Sequence, residues 1–308
     1  MIQHPKIQVV SVSGGRSSGY LVYLMEQKRK QLEWQVEYVF MDTGAEHPNT
    51  YQFLKDMVSH WKIKLHCIRT KVNPKKGVGV TYQQVSLDEL RPDLKPWAEM
   101  LKKYGAPTIA APRCTSRMKT EPHDKFCDAR WGRGNYNTWL GIRIDEDRRL
   151  GDYLKTQDLF KKAIIPVRPI RYLAELSSFD KAAVNKWWQE QPFDLQIPDY
   201  LGNCVFCIKK SLPKLYAAVL QEPELARAFE QLITSNAVRQ LPDQTFAPGQ
   251  LYREHSGLGE IIETANKLAP NSLALKDYIA LQDDEPGLCE GSCEAIPAVE
   301  DFVLEHYA

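Results

Sequence analysis

The sequence has no apolar stretch close to the roughly 20 residues that a membrane-spanning helix requires. Its first residues, Met-Ile-Gln-His-Pro-Lys, also lack the apolar core of a secretory signal. A charge excess is missing as well, because 40 lysines and arginines stand against 39 aspartates and glutamates and give a net charge of +1. These absences predict a cytoplasmic protein with no membrane partner. They also argue against a strongly basic nucleic-acid-binding protein, although a neutral total still allows a local basic segment.

Cysteine is scarce and mostly unpaired. The chain has seven cysteines, and only Cys204 and Cys207 form a C-x-x-C pair. This pattern argues against a disulfide framework and favours a reducing compartment, in which thiols bind metals, react or pack in the core. Two common nucleotide-binding patterns are absent too, namely G-x-x-x-x-G-K-[ST] of the Walker loop and G-x-G-x-x-G of dinucleotide-binding turns.

The most informative feature that is present is a glycine turn after an apolar strand pattern. The run Val9-Val10-Ser11-Val12 is followed by Ser-Gly-Gly-Arg-Ser-Ser, and a helical pattern begins at once. Such a turn directs backbone N–H groups and the positive end of a helix dipole towards an anion. Glycine leaves room for the anion to approach the backbone. The residues predicted to bind phosphate are Ser11, Ser13, Gly14, Gly15, Arg16, Ser17 and Ser18.

The first part of the chain alternates between strand and helix patterns. The predicted strands are 7–12, 37–41 and 64–68, and the predicted helices are 17–31 and 48–60. This β-α-β-α-β order implies a parallel sheet with right-handed crossovers, whose ligands bind at the carboxyl ends of the strands. The Ser13-Gly14-Gly15 and Asp42-Thr43-Gly44 segments both follow such ends.

The rest of the chain gives weaker patterns. Residues 70–112 are rich in Lys, Pro and Gly and predict a long irregular segment. Residues 138–146 predict a strand, and residues 163–166 predict a short last strand. An amphipathic helix is predicted over 180–191 and a mostly helical region over 211–280. The tail from Asp283 onward is acidic. We therefore divide the chain into a nucleotide-binding domain with the cysteine pair, 1–210, and a helical C-terminal extension with an acidic tail, 211–308.

An ordered set of motifs resembles the PP-loop ATP pyrophosphatase superfamily, and most closely its phosphoadenosine phosphosulfate reductase (CysH-like) branch. The motifs are Ser-Gly-Gly-Arg-Ser-Ser at 13–18, Asp42-Thr43-Gly44, Cys114 with Lys119 and Pro122, and Gly141-Ile142-Arg143-x-Asp145-Glu146. Two further segments resemble reductase-like proteins carried by phages and other mobile elements, namely Gln191-Pro192-Phe193-Asp194 and Tyr200-Leu201-Gly202-Asn203-Cys204-x-x-Cys207. The resemblance covers about residues 7–215.

The resemblance implies an α/β fold of the HUP (adenine nucleotide alpha hydrolase-like) type, a parallel sheet flanked by helices that binds ATP or a related adenosine nucleotide with Mg²⁺. It implies that residues 13–18 hold the phosphates and that Asp42, Thr43 and Gly141 lie near the nucleotide. The catalytic residues that it implies are Ser13, Arg16, Lys119 and Arg143, the last at the α-phosphate or leaving group. Two plainer interpretations stay open: Asp42 as a cap of the helix near Pro48, and Arg143 as a surface ion-pair partner of Asp145 and Glu146.

The resemblance also gives the cysteines a role. In the sulfate-reductase relatives a cysteine at the position of Cys114 joins a later C-x-x-C around a [4Fe–4S] cluster, which implies Cys114, Cys204 and Cys207 as ligands here. Zinc and unmetallated thiols are the alternatives. Three alternatives stay open for the fourth iron. Its ligand is Cys127, which a continuous helix would place about 20 Å from Cys114, or a tail cysteine, Cys289 or Cys293. In the third alternative this iron has no protein ligand and is free to hold a sulfur species, as in PP-loop tRNA thiolases. Cys67 is predicted to be a core thiol.

Three functions follow from the resemblance. The first is an enzyme that cleaves ATP to AMP and pyrophosphate and so activates a substrate, with a nucleic-acid substrate or a sulfur-donor protein as partner. The second is a thioredoxin-dependent phosphoadenosine phosphosulfate reductase, although the tail reads Leu-Cys-Glu-Gly-Ser-Cys-Glu at 288–294 and lacks the Glu-Cys-Gly-Leu-His motif of such enzymes. The third is a non-catalytic nucleotide-binding partner in a mobile-element or CRISPR-associated complex. A nucleic-acid partner has only one local signal, the basic segment with Lys71, Lys75 and Lys76 beside Tyr82.

Overall fold

Six strands form one sheet in the computed structural model, which describes residues 7–109, 111–151, 170–240, 252–253 and 256–268. The strands are β1 (Ile7–Val12), β2 (Gln35–Asp42), β3 (Leu65–Val72), β4 (Val80–Val85), β5 (Tyr136–Leu140) and β6 (Ile170–Tyr172). Their order across the sheet is β4-β3-β2-β1-β5-β6. All neighbouring pairs are parallel except β3 and β4. The predicted sheet flanked by helices is therefore confirmed, with one antiparallel edge strand added.

The strand order determines where a ligand can bind. The chain runs outward from β1 to β2 and β3, and later returns to the other side of β1 to form β5. In such sheets a crevice opens at the carboxyl ends of the strands where the winding direction reverses. Here that point lies between the end of β1, which leads into the glycine turn, and the ends of β2 and β5.

The described helices are α1 (Arg16–Leu32), α2 (Pro48–Trp61), α3 (Lys95–Tyr104), α4 (Glu121–Trp131), α5 (Lys181–Gln189), α6 (Leu212–Gln221), α7 (Pro223–Thr234) and α8 (Leu258–Leu268). A single α-helical turn, Arg113–Thr115, and a π-helical turn, Ser116–Thr120, lead into α4. Within the described ranges, no helix is both long enough and apolar enough to cross a lipid bilayer.

The central strands are apolar on both faces because helices cover both sides of the sheet. Val10 and Val12 of β1 belong to the larger core cluster, whereas Val9 belongs to a second cluster with Phe126 of α4. Side chains alternate along a strand, so consecutive valines reach opposite helical layers. Trp188 of α5 is fully buried in the larger cluster, a burial that contributes about 2–3 kcal/mol.

The prediction of a long irregular segment over 70–112 is wrong. This stretch contains β4, a 3-10 turn at Leu87–Glu89 and α3. The alternation of apolar and polar residues that marks a strand was not visible in β4, because most of its side chains are polar. This is normal for an edge strand that pairs on one side only. Trp97, Met100 and Leu101 form the buried face of α3, but the surrounding lysines and prolines hid this short pattern.

Other predicted elements have mixed outcomes. The helices predicted over 17–31, 48–60 and 180–191 match α1, α2 and α5, with ends within two residues. The mostly helical region after 211 matches α6, α7 and α8 as far as it is described. The short strand predicted over 163–166 and the acidic tail, with Cys289 and Cys293, lie outside the described residues.

Candidate functional site

The glycine turn after β1 has the backbone that the sequence predicted. Gly14 has φ +79°, and a Cβ atom built there would lie 2.5 Å from Cγ2 of Thr50. Gly15 is the N-cap of α1, and no side chain of the described residues caps this helix. The first helical hydrogen bond runs from the Gly19 amide to the Gly15 carbonyl at 3.0 Å. The amides of the first turn are therefore left for an external acceptor, which is the basis of anion binding at helix N-termini.

The serines of the turn hold one another in place. The Ser18 hydroxyl donates to the Gly15 carbonyl (2.9 Å) and accepts from the Ser13 amide (3.1 Å) and the Ser13 hydroxyl (3.0 Å). Ser11, Ser17 and Ser18 are buried, whereas Ser13 is partly exposed. The turn is thus organised before any ligand arrives, and Ser13 is the serine best placed to meet one.

Arg16 is already paired in this structure. Its Nε and Nη2 atoms each donate to the carboxylate of Asp194 at 2.8 Å, and Nη2 also donates to the Leu195 carbonyl. The Trp188 indole donates to the Arg16 carbonyl at 2.9 Å and so fixes the first turn of α1 against α5. The sequence placed Arg16 at a phosphate. The structure places a carboxylate there, in the forked geometry that phosphate also uses.

Arg143 reaches the same turn from the end of β5. Gly141 directly follows the last residue of β5, and the Arg143 side chain is 1% exposed. Its Nη1 donates to the Ser17 hydroxyl at 3.0 Å, while Nε and Nη2 donate to Asp145 at 2.9 and 3.0 Å. Burial alone would raise the pKa of Asp145, but hydrogen bonds from Arg143 outweigh it and lower that pKa. The ion pairs of the plainer alternative are present, to Asp145 at 2.9 Å and to Glu146 at 3.6 Å, but they do not lie on the surface, because the guanidinium is buried against α1.

A buried carboxylate pair lies at the end of β2. Asp42 accepts from the Gly44 amide (2.9 Å), and the Tyr51 hydroxyl lies 2.9 Å from Asp42 and 3.2 Å from Glu46. Arg69 of β3 donates to Asp42 at 2.5 Å and to Asp93 at 2.9 Å. Burial, and then the charge of Glu46, raise the pKa of Asp42 to about 6 against the opposing effect of Arg69. Asp42 thus anchors the D-T-G turn.

The capping alternative for Asp42 is wrong. The N-cap of α2 is His47, whose Nδ1 accepts from the Asn49 amide at 3.0 Å. Sequence reasoning missed Glu46, Tyr51 and Arg69, because a lone acid, tyrosine or arginine carries no pattern. Only Glu46 could have been suspected from sequence, because it lies two residues beyond the D-T-G turn and so close to a predicted nucleotide-binding segment.

The C-x-x-C turn docks directly on the D-T-G turn. Thr43 Oγ1 lies 3.2 Å from the Cys204 sulfur and donates to Glu46 at 2.7 Å, and Cys204 Sγ lies 3.7 Å from the same carboxylate. The Val205 amide donates to the Ala45 carbonyl at 2.9 Å. Cys204 and Cys207 share one turn, closed by a 3.2 Å bond from the Cys207 amide to the Cys204 carbonyl. The cysteine turn therefore lies directly against the turn after β2, which is one of the predicted nucleotide-binding segments.

Cys114 lies in the same region. It packs against the core cluster that contains Cys204, Cys207 and Tyr252, and all three thiols act electrostatically on the Tyr252 phenol. Among the described residues, no three His, Cys, Asp or Glu side chains lie close enough together to hold a metal ion. The other two described cysteines lie in the core: burial raises the pKa of Cys67 to about 12 and that of Cys127 further. Cys127 belongs to the second core cluster, apart from the other three thiols.

Lys119 occupies the π-helical turn and is buried. The Thr70 hydroxyl, next to Arg69 on β3, donates to the Arg117 carbonyl at 2.8 Å and so ties this turn to the carboxyl end of the sheet. In the basic segment, Lys71, Lys75 and Lys76 are exposed, but the Tyr82 ring packs edge-on against Phe126 at 5.3 Å. The structure thus gathers the glycine turn, the D-T-G turn, Arg143 and the cysteine turn at one edge of the sheet, with Lys119 on a turn joined to that edge.

Two comparisons with known proteins bear on this site. A family model described as the phosphoadenosine phosphosulfate reductase domain matches residues 7–177, a range that contains all six strands. A protein of Escherichia phage lambda, described as "Uncharacterized nin region protein ORF290", is 43% identical over 300 residues, or 96% of this chain and 97% of the relative. The resemblance inferred from the motifs is confirmed, and so is the similarity to phage-borne proteins.

Proposed function

Because this chain belongs to the phosphoadenosine phosphosulfate reductase domain family, we propose that it is an adenine-nucleotide enzyme that cleaves ATP between the α and β phosphates. The products are pyrophosphate and an adenylated intermediate, which releases AMP when the activated substrate reacts. The observation that carries the proposal is the uncapped N-terminus of α1 behind the left-handed turn at Gly14. The amides of this turn would bind the phosphates, as oriented N–H groups do in other anion sites.

Arg143 would stabilise the transition state. It is buried and held against Ser17, so its charge is fixed beside the first turn of α1. A guanidinium held beside the phosphate site stabilises charge that develops on phosphate oxygens. Asp145 occupies its Nε and Nη2 donors in this structure. We infer that Asp145 orients Arg143 and that a phosphate of the nucleotide competes with Asp145 for hydrogen bonds from these two nitrogen atoms.

The remaining predicted residues support binding. Ser13, partly exposed at the turn, would donate to a phosphate oxygen. Arg16 would approach the phosphates only by loosening its pair with Asp194. Thr43 would contact the ribose and adenine side of the nucleotide, with Asp42 supporting it from beneath through the Gly44 amide. Lys119 and Gly141 are proposed to lie beside the nucleotide. Mg²⁺ would bind together with ATP and bridge its phosphates.

Cys114, Cys204 and Cys207 are the residues that would hold a [4Fe–4S] cluster. All three thiols contribute to the raised pKa of Tyr252, which indicates that the three sulfurs lie in one neighbourhood. Such a cluster would supply an iron site that can carry sulfur for transfer to the activated substrate. Zinc is the alternative group for the same thiols. No three His, Cys, Asp or Glu side chains of the described residues lie close enough together to hold an ion, so in this structure the thiols are not arranged around either a cluster or a zinc ion. A nucleic acid is the proposed acceptor class and a sulfur-donor protein the proposed partner.

A second candidate function is reduction of a sulfonucleotide with thioredoxin as the electron donor. The observation in its favour is the contact between Thr43 and Cys204, since it brings a thiol to the loop where the nucleotide is proposed to bind. The two functions differ in product, because the reductase releases sulfite and the ATP-cleaving enzyme releases pyrophosphate.

The test begins with binding to the full chain. Calorimetric titration with ATP and Mg²⁺, and with phosphoadenosine phosphosulfate, is expected to give saturable heat that the Gly14→Ala variant loses. Pyrophosphate release from ATP then supports the proposed reaction, whereas sulfite release with thioredoxin supports the second candidate. Nucleotide binding without either product indicates a non-catalytic nucleotide-binding partner. No heat with any adenosine nucleotide would remove the phosphate-site assignment.

A further inference from the structure

Asp194 occupies the arginine that stands at the start of the glycine-turn helix. Arg16 is the first residue of α1 and directly follows the N-cap, Gly15. Its Nε and Nη2 atoms donate to the two carboxylate oxygens of Asp194, each at 2.8 Å. A guanidinium binds phosphate with the same pair of parallel hydrogen bonds. Arg16 therefore already holds an anion in this structure, and that anion belongs to the protein itself.

This ion pair can open without disturbing the core. The side chains of Arg16 and Asp194 are each 20% exposed, so a ligand can reach the pair from solvent. The residues on either side anchor the main chain, because Leu195 is buried and the Phe193 ring packs against the Trp188 ring at 5.5 Å. Rotation of the Asp194 side chain is therefore enough to free the guanidinium, while the backbone of this segment stays in place.

A second carboxylate lies near Arg16 but outside these two hydrogen bonds. Asp199 Oδ1 is 3.7 Å from Nη1 of Arg16, and Asp199 Oδ2 is 2.8 Å from Nζ of Lys181. Asp199 thus brings the same charge to the same arginine, but it shares that charge with a lysine and makes no paired hydrogen bonds to the guanidinium. The two aspartates allow the effect of the paired hydrogen bonds to be separated from the effect of charge alone.

A phosphate bound to the amides of the glycine turn would compete with Asp194. The uncapped amides and Arg16 belong to the same first turn of α1. The Nε and Nη2 donors cannot pair with two anions at once, so a phosphate gains them only when the carboxylate leaves. A carboxylate that stayed beside the phosphate would repel it. Every anion that pairs with Arg16 at this turn must therefore displace Asp194.

We propose that Asp194 sets the affinity of the glycine turn for phosphate by competing with the bound anion for Arg16. The inference rests on the nucleotide site of the proposed function and adds a residue outside the range matched by the family model. Cleavage of ATP leaves pyrophosphate, a small and highly charged anion, on this turn. When Asp194 returns to Arg16, it replaces the hydrogen bonds that the departing pyrophosphate gives up. Asp194 thus weakens anion binding and favours release of the product.

The experiment measures calorimetrically how tightly the full chain binds pyrophosphate, without any reaction. The neutral amide of Asp194→Asn pairs only weakly with a guanidinium, so Arg16 becomes available and the affinity should rise about three- to tenfold. Asp199→Asn is the matched control and should change the affinity less than about twofold, because its exposed charge is screened and acts weakly. In an Arg16→Gln background, Asp194→Asn should give no gain.

Three results overturn the proposal. The first is an affinity in Asp194→Asn that is unchanged or lower, because the ion pair would then serve only the fold. The second is an equal gain in Asp199→Asn, and the third is a gain that persists in the Arg16→Gln background, since charge alone would explain both. Asp194→Ser also lacks the carboxylate and should reproduce the gain, and it replaces Asp194→Asn if thermal unfolding shows that variant to be unfolded.

Failure of this proposal is distinguishable from failure of the proposed function. If wild type binds ATP but Asp194→Asn binds pyrophosphate no more tightly than wild type, the nucleotide site stands and the competition by Asp194 is overturned. If neither wild type nor Asp194→Asn gives heat with ATP or with pyrophosphate, the phosphate site and the competition are overturned together. Binding of pyrophosphate to Asp194→Asn but not to wild type supports both.

Discussion

The hydroxyl oxygen of Thr43 lies 3.2 Å from the sulfur of Cys204, across a sequence separation of 161 residues. Thr43 belongs to the turn after β2, where the nucleotide is proposed to bind, and Cys204 begins the C-x-x-C turn. Glu46 contacts both, at 2.7 Å from the Thr43 hydroxyl and 3.7 Å from the sulfur. One buried carboxylate is therefore positioned to influence both halves of the site.

We expect Glu46→Gln to make Cys204 more reactive. The negative charge of Glu46 next to the thiol disfavours the thiolate, which is the form that reacts with alkylating agents. In the metal-free protein at neutral pH, removal of this charge should speed alkylation of Cys204 by iodoacetamide about tenfold, the effect of about 1.4 kcal/mol. Mass spectrometry of the Cys204 peptide measures the rate. Glu46→Asp keeps the charge and serves as the control, and equal rates for wild type and Glu46→Gln would contradict the prediction.

Gly14→Ala is expected to weaken phosphate binding and to destabilise the fold. The added methyl group meets Thr50 Cγ2 at 2.5 Å in a backbone with φ +79°. We expect a loss of about 2–3 kcal/mol in the free energy of unfolding, from left-handed strain and overpacking together. Nucleotide affinity should fall at least about tenfold, since the turn must shift. Urea unfolding and calorimetry measure the two effects.

Gly134→Ala is the matched control for that change. Gly134 has φ +82°, and an added Cβ would meet nothing within 4 Å. It should therefore show only the cost of left-handed backbone, about 1 kcal/mol, with unchanged nucleotide affinity. In a Gly14→Ala/Thr50→Ser double variant the clashing methyl group is gone, so part of the lost stability should return. No recovery would show that overpacking is not the cause.

Arg143→Lys tests the proposed catalytic arginine. Lysine keeps the charge but cannot hold Asp145 and Ser17 at the same time, as the guanidinium does. We expect the rate of pyrophosphate release to fall by about 10²–10³-fold, the usual cost of losing a preorganised donor, with little change in the affinity for ATP. Arg29→Lys is the control: Arg29 lies in the last turn of α1, where its half-exposed side chain pairs with the buried Glu26, and the change should leave the rate unchanged. A wild-type rate in Arg143→Lys would rule out the assigned role.

Asp42 should make stability fall as pH rises through the mildly acidic range. Its folded pKa of about 6 lies above the value of about 3.9 for an unfolded aspartate. The folded state then binds the proton more tightly, so the stabilisation is complete below about pH 4 and is lost between about pH 4 and 6. The stability of wild type relative to Asp42→Asn should decrease across this window by about 1.4 kcal/mol per unit of pKa shift. Urea unfolding at a series of pH values measures it, and a constant difference would contradict the assigned pKa.

Several parts of the site could be predicted from sequence because their signals are local. The strand-turn-helix around Gly14 is encoded in consecutive residues, and the D-T-G and C-x-x-C turns are short motifs. By contrast, β4 and α3 were missed because an edge strand is polar and α3 is only ten residues long. The pairing of Arg16 with Asp194 was also beyond prediction, since the two residues are 178 positions apart.

The sequence by itself determined the alternating α/β fold, the glycine turn and the C-x-x-C turn, because hydrophobic periodicity and turn chemistry act over a few neighbouring residues. Tertiary structure decided which side chains share the site. Only folding brings Glu46 to Cys204, Arg69 to Asp42, Arg143 to Ser17 and Tyr252 to the cysteine turn. These contacts depend on burial and on the docking of distant segments, which no local pattern encodes.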